Sequence, residues 1–298
     1  MKNVNVLKCV IALSAISILS ISAVAQKTAA KPIVFAVLND GKTLEPIAYV
    51  NKSKLDPPVN GSDEQNIITA FTKTYYKPGT VYRLIFGGAN VGNVSVKSGN
   101  ANSDCAKNMG TVTTTSSKVQ LRGLVMGLAT NVALKSTNAS YRRKPTAAEK
   151  TEMDALAKAE FVKQKLSPTK LNYQNLTALD VDNDGKADFV GSYWVEIDKL
   201  TRGLLFFIAS KGSNGKYTLG YSEYHSIDQA NVMSGEIKAV DDGVYHELLL
   251  DVFDYDGDGT AEVFTYIQSF EGAGFNVYRR AGTKWTQAFE GSNYHCGY

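Results

Sequence analysis

Apolar residues in this chain come in short runs, cut apart by clusters of Gly, Asn, Asp, Ser and Pro. Ile33-Val-Phe-Ala-Val-Leu38, Val81-Tyr-Arg-Leu-Ile-Phe86 and Val91–Val96 have the length and β-branched content of strands. Lys118-Val-Gln-Leu-Arg-Gly-Leu-Val125 predicts a further strand or strand pair, and the Ser/Thr/Asn/Gly-rich residues 97–117 predict a surface loop. Only two stretches carry helical spacing. Ser62 with Gln65 forms a capping-box pattern ahead of Ile67, Ile68 and Phe71 on one face, and Pro78-Gly79 stops that helix. Thr146-Ala-Ala-Glu149 is a second capping box. It opens a helix with Met153, Leu156, Ala157 and Phe161 at spacing of three to four, bounded by Pro168. This helix fits a domain connector or the cover of a sheet edge.

The densest polar pattern lies further on. Asp180-Val-Asp182-Asn-Asp184-Gly185-Lys186-Ala-Asp188 and Asp254-Tyr-Asp256-Gly-Asp258-Gly259-Thr260-Ala-Glu262 share the spacing D-x-D-x-D-G-x-x-[D/E]. Four carboxylates on one nine-residue turn repel one another, whereas Ca2+ takes six to eight oxygens at about 2.3–2.6 Å. The expected ligands are the side chains of Asp180, Asp182, Asp184 and Asp188 with the Lys186 carbonyl, and of Asp254, Asp256, Asp258 and Glu262 with the Thr260 carbonyl. The expectation is two calcium ions. Mg2+ prefers a stricter octahedron and keeps its waters, and no Cys/His cluster accompanies the acids to suggest Zn2+. A solvated turn has a similar composition, but two loops with one spacing favour the metal.

An EF-hand needs a bidentate Glu at loop position 12 and flanking helices. Position 12 is Gly191 in one loop and Thr265 in the other, and the flanks, Tyr193-Trp194-Val195-Glu196-Ile197 and Val263-Phe264-Thr265-Tyr266-Ile267, are strand-like. A strand–loop–strand context with acids at positions 1, 3, 5 and 9 resembles the FG-GAP/VCBS calcium loops of integrin-type propeller blades. The resemblance covers residues 170–298. Features around the loops recur at a spacing of about 70 residues: Leu204–Ile208 with Phe275–Tyr278, Lys216-Tyr217 with Lys284-Trp285, Tyr224-His225 with Tyr294-His295. The expected fold class is therefore mostly β (α+β). It comprises an N-terminal α+β region (33–140), a linker and connecting helix (141–169), and two antiparallel meander or propeller-blade-like repeats (about 170–225 and 246–298). The resemblance implies adhesion or extracellular recognition.

Residues 1–25 read as a signal peptide. Lys2 and Lys8 precede an apolar stretch from Val10 to Ile21, and Ala23-Val24-Ala25 supplies a small-x-small cleavage site before Gln26. Residues 26–32 read as a short disordered leader. The expected location is secreted or periplasmic, with no transmembrane segment after cleavage. Loss of Lys2 and Lys8 from the 32 basic residues leaves 30 against 29 acidic ones. That balance speaks against a nucleic-acid partner, and the short basic cluster Tyr141-Arg142-Arg143-Lys144 reads as a solvated linker. In an oxidising compartment the two remaining cysteines, Cys105 and Cys296, form one disulfide.

Known catalytic signatures are absent: no H-x-x-x-H, G-x-S-x-G, P-loop or G-x-G-x-x-G follows a strand. His225 and His295 sit in corresponding places, which suggests packing or a satisfied hydrogen bond. The leading expectation is a non-enzymatic calcium-binding β-protein that binds an extracellular protein or glycan. A secreted hydrolase with calcium-stabilised accessory repeats and a glycan-binding module are the alternatives.

Overall fold

A computed structural model describes residues 30–134, 139–232 and 239–296. The predicted signal peptide lies outside the described residues. Strands make up 49% of the structure and helices 14%, with antiparallel pairing, as the apolar runs predict.

The N-terminal region contains β1 (Ile33–Leu38), β2 (Thr43–Asn51), β3 (Lys54–Asp56), α1 (Gln65–Tyr75), β4 (Val81–Phe86), β5 (Ala89–Gly99), β6 (Gly110–Ser116) and β7 (Gly127–Thr130). In the order β1-β7-β4-β5-β6-β2, with β2 pairing back to β1, six of these strands close into a barrel, and β3 hangs on β2. The chain is tied down before β1, because Pro32 accepts a bond from Val50 N and Lys31 accepts one from the Tyr75 hydroxyl. Strand β1 is buried along its whole length because both of its faces are covered. Ile33, Phe35 and Val37 point into the barrel among Phe71, Tyr75 and Tyr76 at the end of α1. Val34, Ala36 and Leu38 point outward against a second layer, as strand alternation requires.

Three local expectations are corrected here. Residues 110–116, assigned to a loop on composition, form β6: Val112 turns inward while Thr111, Thr113 and Thr115 face water, and Thr is β-branched and suits a pleated edge. Residues 118–125 form a turn with a single bridge between Arg122 and Val125. Ser116 Oγ accepts from Lys118 N and Val119 N, and Asp40 Oδ1 accepts from Gly123 N, so the segment curls instead of extending. Helix α1 begins without its predicted box: Ser62 Oγ donates to Asn60 and Gln65 Nε2 donates to the Ala101 carbonyl. Ile67 is exposed, so the buried face is Ile68, Phe71 and Tyr75.

Two further sheets follow. The first comprises β8 (Arg142–Arg143), β9 (Asn172–Leu179), β10 (Asp188–Asp198), β11 (Thr201–Lys211) and β12 (Tyr217–Asp228), in the order β12-β11-β10-β9-β8. The second comprises β13 (Glu247–Phe253), β14 (Glu262–Gln268), β15 (Gly272–Ala281) and β16 (Lys284–Tyr294), in chain order. Helix α2 (Ala147–Lys163) opens with the predicted capping box and lays Met153, Ala157 and Phe161 on one face of the first sheet. The other face of that sheet packs on the second sheet through Val190, Phe206 and Ile208 against Leu249, Val263 and Tyr278. The second sheet's far face packs on the barrel through Leu250, Phe264, Phe275 and Val277. The layers therefore run barrel, second sheet, first sheet, α2.

All three β-units meet at one buried ion pair. Arg142 Nη1 donates to Asp251 Oδ2 at 2.8 Å and to the Leu250 carbonyl at 2.7 Å, with both side chains almost wholly buried. The amides of Gly87 and Gly88 in the barrel's β4–β5 turn also donate to Asp251. Arg142 belongs to the tetrapeptide expected to be a solvated linker. It is instead the cation that offsets a buried carboxylate, while Arg143 grips Glu149 with two nitrogens at the start of α2. Cys105 and Cys296 are disulfide-bonded, as expected, which fastens the end of β16 to the barrel's β5–β6 connection. No helix among the described residues is long and apolar enough to cross a membrane.

Candidate metal centre

The two acidic segments are the β9–β10 and β13–β14 connections, the first hairpin of each sheet. They fold alike down to single hydrogen bonds. In the first loop Asp180 accepts from Asp184 N and Gly185 N, Asp182 Oδ1 from Asp184 N, and Asp184 Oδ1 from Lys186 N. In the second, Asp254 accepts from Asp258 N and Gly259 N, Asp256 Oδ1 from Asp258 N, and Asp258 Oδ1 from Thr260 N. Asp254 takes one more, from Gly257 N at 2.6 Å. The sixth position needs positive φ in both loops (Gly185 +78°, Gly259 +97°), a conformation glycine reaches without steric cost.

This folding gathers three carboxylates per loop. Asp180, Asp182 and Asp188 each bring an oxygen within 4.8 Å of the others, and so do Asp254, Asp256 and Glu262. Positions 1, 3 and 9 of the predicted ligand set thus converge in both. Asp184 and Asp258 hold the loop backbone through the bonds just given, and Lys186 Nζ closes on Asp184 Oδ2 at 2.6 Å.

The last acid of each loop is buried at the start of a strand, where desolvation penalises its charge. Burial pushes Asp188 up to about 6. Burial also pushes Glu262 up to about 8, outweighing the opposite pull of Arg279. Glu262 Oε1 accepts from Arg279 Nε, but Oε2 is buried with no partner. The donor set is all oxygen, partly dry and short of positive charge, which fits a hard divalent cation.

Two arginines that sequence reasoning missed attend the loops. Arg279 and Arg280 are neighbours on β15, so their side chains leave opposite faces of the sheet. Arg279 turns to the barrel side, where Nη2 reaches Asp256 Oδ2 at 2.7 Å and the Tyr255 hydroxyl at 2.7 Å. Arg280 turns to the first sheet and reaches Asp182 Oδ2 at 2.6 Å. Each therefore neutralises the third-position aspartate of a different loop. The loops also touch: Ala261 N donates to the Val181 carbonyl at 2.7 Å. An Arg-Arg dipeptide inside an apolar strand was the available signal, and the sheet stacking that gives it meaning is invisible in one sequence.

The histidines diverge. His225 is exposed beside Glu223, burial holds His246 below the usual imidazole range, and His295 Nε2 lies 2.6 Å from the buried Glu45 Oε1.

No protein-family model, curated protein or solved structure matches the chain. The reading of the loops therefore rests on their own geometry.

Proposed function

We propose that each acidic loop holds one calcium ion, and that the protein is an exported, calcium-stabilised binding protein without catalytic activity, acting in adhesion or surface recognition. The observation that carries this reading is duplication in space. Two segments far apart in sequence adopt the same backbone bonds and converge the same three carboxylate positions. The FG-GAP/VCBS resemblance in residues 170–298 points the same way.

In the first loop Asp180, Asp182 and Asp188 would ligate, with Asp184 and the Lys186 carbonyl; in the second, Asp254, Asp256 and Glu262, with Asp258 and the Thr260 carbonyl. A bound cation offsets the repulsion among the acids and gives the dry Glu262 oxygen a partner. Because each loop closes the first hairpin of its sheet and the loops contact one another, metal binding would stiffen the seam between the sheets. A site filled at about 100 times its Kd adds roughly 2.7 kcal/mol of stability, and extracellular calcium is abundant enough to fill weak sites. The disulfide suits an oxidising compartment.

Thermal unfolding in EDTA and across calcium and magnesium titrations tests the proposal. Calcium raises the melting temperature and magnesium does so far less. Asp182→Ala combined with Asp256→Ala abolishes the calcium response, whereas His225→Ala keeps it. A double variant with the full response refutes the assignment.

A further inference from the structure

A second site lies away from both loops. Between one end of the barrel and the second sheet runs a cleft of about 660 Å3, within the size range of small-ligand sites. Its most unusual lining residue is Glu45 of β2, a carboxylate with no exposed surface. Glu45 Oε1 is fully engaged, with His295 Nε2 at 2.6 Å and Asn293 Nδ2 donating at 2.8 Å. Glu45 Oε2 is buried and has no partner. A carboxylate oxygen out of water is costly unless a donor meets it, so this corner is built around an acceptor left to be satisfied.

The rest of the cleft indicates which donor. Lys42 stands against Asp40, and His295, when protonated, against Glu45, so with that imidazole charged neither an ammonium nor a carboxylate ligand has an advantage. Gln268 adds an amide that both donates and accepts. Tyr266 lines the cleft with a half-buried ring beside Phe275, an apolar platform with a polar tip. Planar polar groups, an aromatic face and no net charge suit a molecule with many hydroxyls and a C–H face. The corner is also held rigid. His295 N donates to Glu271 O, Ala106 N donates to His295 O, and the Cys105–Cys296 disulfide borders the cleft. A rigid site loses less entropy on binding.

We propose that this cleft binds a neutral saccharide of one or two rings, with Glu45 and His295 taking hydroxyl groups and Tyr266 supporting the ring. The site is independent of the calcium reading, and its test is run in EDTA as well as in calcium. Binding of maltose, cellobiose and N,N′-diacetylchitobiose to the mature chain is measured by calorimetry. Phenethylamine and glucuronate serve as charged probes. The expected result is saturable binding of at least one neutral disaccharide. It weakens about tenfold or more in Glu45→Gln, on the cost of an unmatched polar group, and is lost in Leu124→Trp, which fills the mouth from an exposed position. Should Glu45→Gln fail to fold, the surface variant Leu124→Trp decides alone. The proposal is overturned if none of the three disaccharides binds, if a charged probe binds more tightly than all of them, or if binding survives Leu124→Trp unchanged.

Discussion

The five-stranded first sheet and the four-stranded second sheet carry nearly the same loop in different surroundings. The first sheet has α2 on one face and its neighbour on the other, whereas the second is pressed between the barrel and the first. Three residues before the first loop stands Thr177, partly exposed; three before the second stands Asp251, fully buried on Arg142. The first loop borrows its arginine from the adjacent sheet, and the second receives one from its own. Local spacing sets how a loop folds. Stacking decides which charges it must live with.

The largest effect should come from the junction beneath the second loop. Arg142→Ala strands a buried carboxylate, and about 3–5 kcal/mol of stability should be lost. Thr177→Val at the matching place should stay within about 0.5 kcal/mol. Denaturant unfolding of both variants would measure the gap, and similar values would show that Asp251 is not the point where the layers are held. Next in size is the arginine pair. In EDTA, Arg279→Ala should cost about 2 kcal/mol, because it releases two acids, one of them buried. Arg280→Ala should cost about 1 kcal/mol or less, as a single ion pair near the surface. Calcium should narrow the first loss by supplying the missing charge, and equal losses in EDTA would remove the distinction between the loops.

The smallest effect concerns the matched histidines. The Glu45 hydrogen bond holds His295 above its usual value. A histidine raised by folding contributes stability that is fully present below its unfolded value, about 6.5, and is lost as pH rises through the folded value. His295→Gln should therefore cost about 1 kcal/mol near pH 5.5 and progressively less toward pH 9. His225→Gln, at an exposed side chain, should leave the melting temperature close to wild type at both ends. A His295→Gln deficit that grows with pH would contradict the ion pair.

Much of this was legible in one sequence, for physical reasons. The loops announce themselves because their spacing is a local rule, and the α2 capping box because cap and partner lie three residues apart. The acids at positions 1, 3 and 9 converge as that spacing implies. The barrel was not legible, since closure depends on β1 pairing with both β2 and β7, and the short apolar runs are compatible with many pairings. Residues 110–116 were lost to composition, because threonine suits loops and strands equally. Arg279, Arg280 and Glu45 escaped notice and Arg142 was read as part of a solvated linker, because the partner of each lies more than a dozen residues away along the chain.

The Cys105–Cys296 bond closes a covalent ring around both acidic loops and both stacked sheets. A protease that cuts once anywhere inside that ring cannot shed a fragment. The nicked protein keeps its mass on a non-reducing gel and separates into two pieces only after reduction. One break in the outer turns is therefore damage the folded chain can carry.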